Sequence, residues 1–156
     1  MRVGIAGYGV VGKTRHRSIE ANTSYQVTAI SESNEHARTS IPEGLEVHND
    51  YKSLIASAPI DIIFISLPNQ FAAEATCLSL KKGLHVFCEK PPARTHAELL
   101  EVQKQSLKFS DLKLMYGFNH RFHLSVEEAS SIINGNSLGR IINMKGVYGK
   151  SQMISF

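Results

Sequence analysis

The chain has 156 residues, a net charge of +3 and 42% hydrophobic residues, which suits one ordinary globular domain with its own core. Its charges are scattered without blocks of like sign, so no nucleic-acid-binding surface is predicted. No apolar run approaches the roughly 18 residues of a membrane span, and the N-terminal stretch lacks a secretory apolar region. Cys77 and Cys88 lie in apolar stretches without Cys-x-x-Cys spacing, which predicts buried thiols in a reducing cytoplasm.

Short apolar runs alternate with helix-like segments along most of the chain. The predicted strands are 2–6, 26–30, 60–67, 84–88 and 112–118, and the predicted helices are 10–22, 51–57, 70–82 and 95–107. Two of these strands are continuously apolar, as parallel strands covered on both faces are. This order predicts an α/β fold with a doubly wound parallel sheet of the Rossmann type.

The pattern changes after Phe118. A helix is predicted over 125–136, opened by a capping box at Ser125 and Glu128, and a long strand over 139–149 has no evident partner strand. We therefore expect a Rossmann domain over 1–118 and, over 119–156, the incomplete start of a second α/β domain.

The segment GYGVVG has the G-x-G-x-x-G spacing of a dinucleotide-binding turn. The first glycine permits the tight turn, the second lets a pyrophosphate approach the backbone, and the third lets the helix pack on strand one. Here the motif follows a predicted strand and opens a predicted helix, which is the context that makes it informative. The cofactor-binding residues predicted from it are Gly7, Tyr8, Gly9, Val10, Val11 and Gly12.

An acidic residue is expected about 20 positions after this turn, at the end of strand two. Glu32 occupies that place. Its carboxylate would accept the ribose hydroxyls of NAD and repel the 2′-phosphate of NADP, so NAD is favoured. Ser31, Ser33 and Arg38 lie nearby and would suit a 2′-phosphate, which leaves NADP open; Glu32 and Ser33 both join the predicted cofactor site.

Polar residues also follow the other predicted strands, at the edge where doubly wound sheets bind ligands. Each group alone would suit an ordinary loop, whereas their shared position points to one site. In chain order they are Ser66, Leu67, Pro68 and Asn69, then Glu89 and Lys90, then Asn119, His120 and Arg121.

Three segments together resemble the Gfo/Idh/MocA family of NAD(P)-dependent oxidoreductases. They are GIAGYGVVG, SLPNQFAAEATCLSLKKGLHVFCEKPP and YGFNHRFHLSVEEASSIINGNSLGRIINMKGVYGKS, and GLHVFCEKP is the most specific part. The resemblance implies a hydride transfer between nicotinamide and a hydroxyl carbon of a sugar, nucleotide-sugar or polyol. It also implies a homo-oligomer when the protein is full length.

The resemblance assigns roles to several residues. The family's Glu-Lys-Pro maps to Glu89, Lys90 and Pro91, with Lys90 beside the nicotinamide ribose and the reacting carbon as the catalytic residue. Glu89 and Lys90 both join the predicted cofactor site, where the Glu89 carboxylate would orient Lys90 or bind a ribose hydroxyl. Ser66, Leu67, Pro68 and Asn69 map to the adenine and ribose pocket. Asn119 and Arg121 map to the boundary of cofactor and substrate, and Lys90, His120 and Arg121 are the predicted substrate contacts.

Two departures from the family pattern stand out. Phe71 occupies a position where the family often has a histidine. The family's catalytic Asp-x-x-x-His lies on a helix further downstream than this chain extends. We therefore expect the chain to be mainly the cofactor domain of such an enzyme and inactive alone.

Lys90 suits the electrophile that a hydride transfer requires, because an ammonium stabilises charge on a substrate oxygen. Pro91 holds Lys90 in an extended conformation, and the Lys90–Pro91 bond is a candidate cis peptide. His120 and His123 lack matching carboxylates or thiols nearby, so no metal site is predicted. Two alternatives to a dehydrogenase remain: an NAD-using glycosidase or epimerase of the same family, and a non-catalytic dinucleotide-binding module.

Overall fold

The computed structural model describes residues 1–147 and residue 149, and within them six parallel strands form one sheet. The sheet order is β3-β2-β1-β4-β5-β6, so chain order reverses between the central strands β1 and β4. This confirms the predicted doubly wound Rossmann sheet, in which ligands bind at that reversal. The strands are β1 (Arg2–Ala6), β2 (Gln26–Ser31), β3 (Glu46–His48), β4 (Ile62–Ile65), β5 (His85–Cys88) and β6 (Leu114–Tyr116).

Helices connect these strands and continue after the last one. They are α1 (Val10–Glu20), α2 (Glu35–Arg38), α3 (Tyr51–Ser57), α4 (Asn69–Lys81), α5 (His96–Lys108) and α6 (Leu124–Asn134), with a 3₁₀ helix over Asn119–Phe122. None of the helices in the described part of the chain is long and apolar enough to cross a membrane.

The chain divides into two compact units, Met1–Phe118 and Asn119–Phe156. In the first unit, strand β4 shows how the core is arranged, because alternate side chains point to opposite faces of a sheet. Ile63 and Ile65 join the larger apolar cluster with α3 and α4, whereas Ile62 and Phe64 pack against the smaller cluster with α1. Both faces of the central strands are therefore covered, as their continuous apolar sequence predicted.

Local signals in the sequence set several helix ends. The Thr95 hydroxyl accepts the N–H of Glu98 at 3.2 Å, as in a capping box, although the Glu98 carboxylate takes the N–H of Arg94 instead of that of Thr95. Gly83 follows α4 with a φ of +86°, the left-handed conformation that ends many helices.

Several expectations differ from the structure. Helix α2 and strand β3 were not predicted, because four and three residues are too few to show a hydrophobic period. Helix α6 begins at Leu124 with His123 as its N-cap and no side-chain cap, so the Ser125 capping box is wrong. The strand expected over 139–149 is wrong for the described residues 139–147 and 149, which pair with no strand. A β-strand without a partner leaves its backbone groups unbonded, so an apolar pattern alone does not produce one.

Candidate functional site

The glycine turn between β1 and α1 leaves room for no side chain at two of its three glycines. Gly7 has a φ of +88°, and a Cβ there would lie 2.7 Å from the carbonyl oxygen of Ser66. A Cβ on Gly12 would lie 2.1 Å from the carbonyl oxygen of Gly7, so α1 packs directly on the turn. A Cβ on Gly9, in contrast, would meet no atom within 4 Å. Gly9 therefore borders open space, as expected where a ligand approaches the backbone.

The first turn of α1 presents backbone donors. Gly9 is the N-cap, no side chain caps it, and the first turn contains no acidic residue. Val10 and Val11 have exposed side chains, so what they offer a ligand is the N–H groups of the helix start. These groups and the positive end of the helix dipole favour an anion such as a pyrophosphate.

Tyr8 lies in the turn, but its ring points into the core. Its hydroxyl is 2.7 Å from Nδ1 of His16, whose Nε2 is 3.0 Å from Glu20, and burial raises the pKa of the Tyr8 phenol. Its backbone N–H is donated to Glu32. A contact between Tyr8 and a cofactor therefore stays a prediction. Such a contact would have to involve the Tyr8 backbone, because its side chain points into the core.

Glu32 is fixed at the end of β2 by two backbone donors. Its Oε2 accepts the N–H of Tyr8 and its Oε1 accepts the N–H of Asn34, both at 2.9 Å. Each carboxylate oxygen has a second lone pair, so the group can still accept hydroxyl donors. The carboxylate thus joins the glycine turn to the loop after β2.

Arg38, the basic residue considered for a 2′-phosphate, is already engaged. Its Nη1 donates to Oδ1 of Asn49 at 2.5 Å and its Nη2 to the carbonyl oxygen of Ser33 at 3.4 Å. Glu35 lies 4.0 Å from it. These contacts hold the guanidinium against its own loop.

A cavity of about 560 Å³ lies at this edge of the sheet. Among its lining residues are seven that the sequence predicted: Gly7, Gly9, Glu32, Ser33, Ser66, Leu67 and Pro68. The hydroxyl oxygens of Ser31 and Ser66 are buried and have no hydrogen-bond partner within residues 1–147 and 149. Buried polar atoms normally have partners, so these two fit a polar ligand such as a nucleotide.

Four further lining residues were not among the predicted site residues: Ser31 (named only for a 2′-phosphate), Phe71 (named only as a departure from the family pattern), Asp50 and Tyr51. Asp50 caps α3, and the N–H groups of Ser53 and Lys52 lower the pKa of its carboxyl. Tyr51 donates to Glu74 at 2.6 Å, and its ring centroid lies 5.8 Å from that of Phe71. The available signal was an aspartate followed by an aromatic residue at the start of the predicted helix over 51–57.

The end of β5 carries Glu89 and Lys90, and the Lys90–Pro91 peptide is cis, as predicted. Lys90 is exposed and makes no hydrogen bond or ion pair with the described residues. Glu89 does not contact Lys90; its carboxylate binds Arg15 on α1. Sequence reasoning missed Arg15, although it lies three positions after Gly12 and thus on the helix face nearest the sheet.

The remaining predicted residues lie on two elements, one in each unit. Asn69 is the first residue of α4, after Pro68. Asn119, His120 and Arg121 lie in the exposed 3₁₀ helix of the second unit, where the His120 and His123 rings are 4.7 Å apart. Across the described residues, no three His, Cys, Asp or Glu side chains group as a metal site would.

The sheet order, the glycine turn and the cavity beside Glu32 define a dinucleotide-binding Rossmann domain.

The chain belongs to the Gfo/Idh/MocA oxidoreductase family, because residues 1–118 match the model of that family's NAD-binding Rossmann fold. This confirms the resemblance and the NAD-binding domain. The chain is 29% identical over 145 residues to D-glucoside 3-dehydrogenase of Escherichia coli (strain K12), covering 90% of this chain and 41% of that protein. It is 28% identical over 145 residues to D-xylose 1-dehydrogenase (NADP(+)) 2 of Haloferax volcanii, covering 91% and 43%.

The fold also matches a solved structure. Scyllo-inositol dehydrogenase from Lactobacillus casei, with bound NAD(H) and scyllo-inositol, superposes with a TM-score of 0.80 and 26% identity over 89% of this chain and 42% of that one. The chain thus spans about two fifths of the length of the relatives it matches.

Proposed function

We propose that the protein carrying this chain is an NAD-dependent oxidoreductase that moves a hydride between nicotinamide and a hydroxyl carbon of a sugar, nucleotide-sugar or polyol. The observation that carries the proposal is the shared sheet edge, where the glycine turn, Glu32, the Ser66 cavity and Lys90 follow neighbouring strands. The matched relatives are dehydrogenases of a glucoside, a pentose and an inositol, which supports a polyhydroxylated substrate.

Within this proposal, the first turn of α1 binds the pyrophosphate and Glu32 accepts the ribose hydroxyls. Ser31 and Ser66 supply hydroxyls to the adenosine half, together with Ser33, Leu67, Pro68 and Asn69. Bound NAD supplies the hydride acceptor. NAD is favoured over NADP because Glu32 is held in place by two N–H donors, and because Arg38 is bound to Asn49 and Ser33. Moving a 2′-phosphate next to a fixed carboxylate is unfavourable.

Lys90 has the catalytic role in this proposal. Its ammonium donates a hydrogen bond to the substrate oxygen and stabilises the negative charge that develops there. Asn119 and Arg121 keep their predicted cofactor contacts, and His120 and Arg121 their predicted substrate contacts. We assign the residues from Asn119 onward to a substrate domain, which the division into two units after Phe118 supports.

Cytoplasmic location and a homo-oligomeric state belong to the same proposal. Cys77 and Cys88 are both free thiols, and burial raises the pKa of Cys88 to about 11. A thiol held protonated in the core suits a reducing compartment.

Two measurements test the proposal. Calorimetry of this chain with NAD and with NADP should show binding of NAD and weaker binding of NADP. In the intact protein, a panel of sugars and polyols should yield stoichiometric reduced nicotinamide, and Lys90→Ala should abolish turnover while NAD still binds. Turnover without net reduction would indicate a glycosidase or epimerase; NAD binding without turnover would indicate a binding module. Retained turnover in Lys90→Ala would defeat the assignment of Lys90.

A further inference from the structure

An ion pair connects the helix of the glycine turn to the end of β5. Arg15 donates from both Nε and Nη2 to Oε1 of Glu89, and the Nε–Oε1 distance is 2.7 Å. The two residues are 74 positions apart in the chain. The Glu89 side chain is 14% exposed and that of Arg15 is 28% exposed. A charge-assisted bond with two donors at this degree of burial fixes geometry far better than an exposed ion pair.

Other contacts hold both partners in place. The Arg15 guanidinium lies 4.9 Å from the ring centroid of Phe87, which stacks on Phe64 at 4.9 Å. The backbone N–H of Glu89 donates to the carbonyl oxygen of Ile65. A Cβ on Gly117 would lie 2.8 Å from Oε2 of Glu89, so the absence of a side chain there makes room for the carboxylate. Glu89 therefore points inward, whereas the next residue, Lys90, is exposed.

We infer that Arg15 is a positioning residue: it holds the Glu89 carboxylate away from Lys90, so that the Lys90 ammonium stays unpaired for the substrate oxygen. The inference about availability to substrate depends on the proposed function. The inference about charge pairing does not, because it follows from the contacts of this chain alone.

The physical reason lies in what Glu89 would do without Arg15. A largely buried carboxylate without a partner is costly, and the chain relieves that cost by turning the group toward water or another cation. Lys90 is the adjacent residue and carries an exposed ammonium at the end of β5. A Glu89–Lys90 pair would satisfy the carboxylate and would compete with the substrate oxygen for the same ammonium.

The first test uses this chain and needs no turnover. Lys90 is acylated with a limiting amount of acetic anhydride, and its modification is measured by mass spectrometry relative to Lys104 on α5. In Arg15→Met, a carboxylate beside Lys90 favours its charged form, so labelling of Lys90 should slow about threefold. In Arg15→Met with Glu89→Gln, the competing carboxylate is gone and the labelling rate should return to its native value.

Arg17→Met is the matched control, because Arg17 lies on the same helix, is exposed, and its guanidinium donates to the Thr14 hydroxyl at 3.3 Å. It should leave Lys90 labelling unchanged. Arg15→Lys keeps the positive charge and should keep most of the native rate, which covers the case in which Arg15→Met folds poorly. Equal Lys90 labelling in the native chain and in folded Arg15→Met would overturn the inference, as would slow labelling that persists in the double variant.

The second test uses the intact protein. Arg15→Met should lower kcat about tenfold with little change in the KM for NAD, and Glu89→Gln should restore much of that loss. A native kcat in Arg15→Met would overturn the link to the substrate. If the proposed function is wrong, the unsubstituted protein would reduce no NAD. The Lys90 labelling rates would still show whether Glu89 pairs with Lys90 when Arg15 is replaced.

Discussion

The glycine turn and the end of β5 lie at the same edge of the sheet, yet they are built differently. The turn offers backbone N–H groups, and its shape is fixed by glycines that leave no room for a Cβ against the Gly7 carbonyl oxygen within the turn and the Ser66 carbonyl oxygen after β4. The end of β5 offers side chains, and Glu89 there depends on Arg15, 74 residues earlier. The phosphate-binding part is therefore marked in the sequence by a local spacing of glycines, whereas the part that presents Lys90 depends on a pair that no local spacing marks.

The largest effect is expected from Gly12→Ala. Its Cβ would lie 2.1 Å from the Gly7 carbonyl oxygen, so helix and turn would have to separate. We expect a loss of about 3 kcal/mol in the free energy of unfolding, measured by urea denaturation, together with loss of NAD binding. Gly146→Ala, which meets no atom within 4 Å, should stay within about 0.5 kcal/mol of the native chain. A Gly12→Ala chain with native stability would show that the turn is not locally fixed.

Gly9→Ala separates binding from folding within the same turn. Its Cβ meets nothing within 4 Å, so the unfolding free energy should stay native. The methyl group would nevertheless occupy the space where the pyrophosphate approaches, and the Kd for NAD should rise about tenfold in calorimetry. Native NAD affinity in this variant would place the pyrophosphate elsewhere.

Glu32→Gln tests the carboxylate that joins the turn to β2. Removing its charge should lower the preference for NAD over NADP about fivefold, because repulsion of the 2′-phosphate is lost while the side chain keeps its shape. The ratio of the two Kd values is the measurement. Glu35→Gln is the control, since Glu35 is 88% exposed on α2 and should leave the ratio unchanged. An unchanged ratio in Glu32→Gln would assign cofactor choice to other residues.

The smallest effect is expected from the ion pair between Arg2 and Asp61, which is more exposed than the Arg15–Glu89 pair. Arg2 binds Asp61 through its backbone N–H at 2.8 Å and its guanidinium at 3.0 Å, and these bonds lower the pKa of Asp61 to about 2. Because the folded pKa is depressed, the stabilisation is present above about pH 3.8 and is lost as the pH falls toward 2. Asp61→Asn should flatten the pH dependence of unfolding in that window, and Asp111→Asn should not. An unchanged slope in Asp61→Asn would mean that the pair contributes nothing.

The same difference between local and long-range encoding explains what the sequence predicts. The turn, Glu32 and the strand ends follow from spacing along the chain, and the doubly wound parallel sheet follows from the alternation of strands and helices. The Arg15–Glu89 pair involves residues on separate elements, so no local pattern marks it. Strand β3 has only Glu46, Val47 and His48, and it forms because β2 offers an edge with which to pair. The apolar segment after residue 139 has the pattern of a strand but, as far as the chain is described, no such edge.

The position of Tyr51 bears on the fluorescence of this chain. The chain contains five tyrosines and no tryptophan, so its ultraviolet emission comes from phenol rings alone. Tyr51 lines the cavity beside Glu32 while its hydroxyl is bound to Glu74. A ligand that enters the cavity changes the surroundings of one emitter in five, and Tyr51→Phe removes that emitter while keeping the ring. In this chain, the tyrosine emission is therefore expected to change when a ligand fills the cavity, and to change less in Tyr51→Phe.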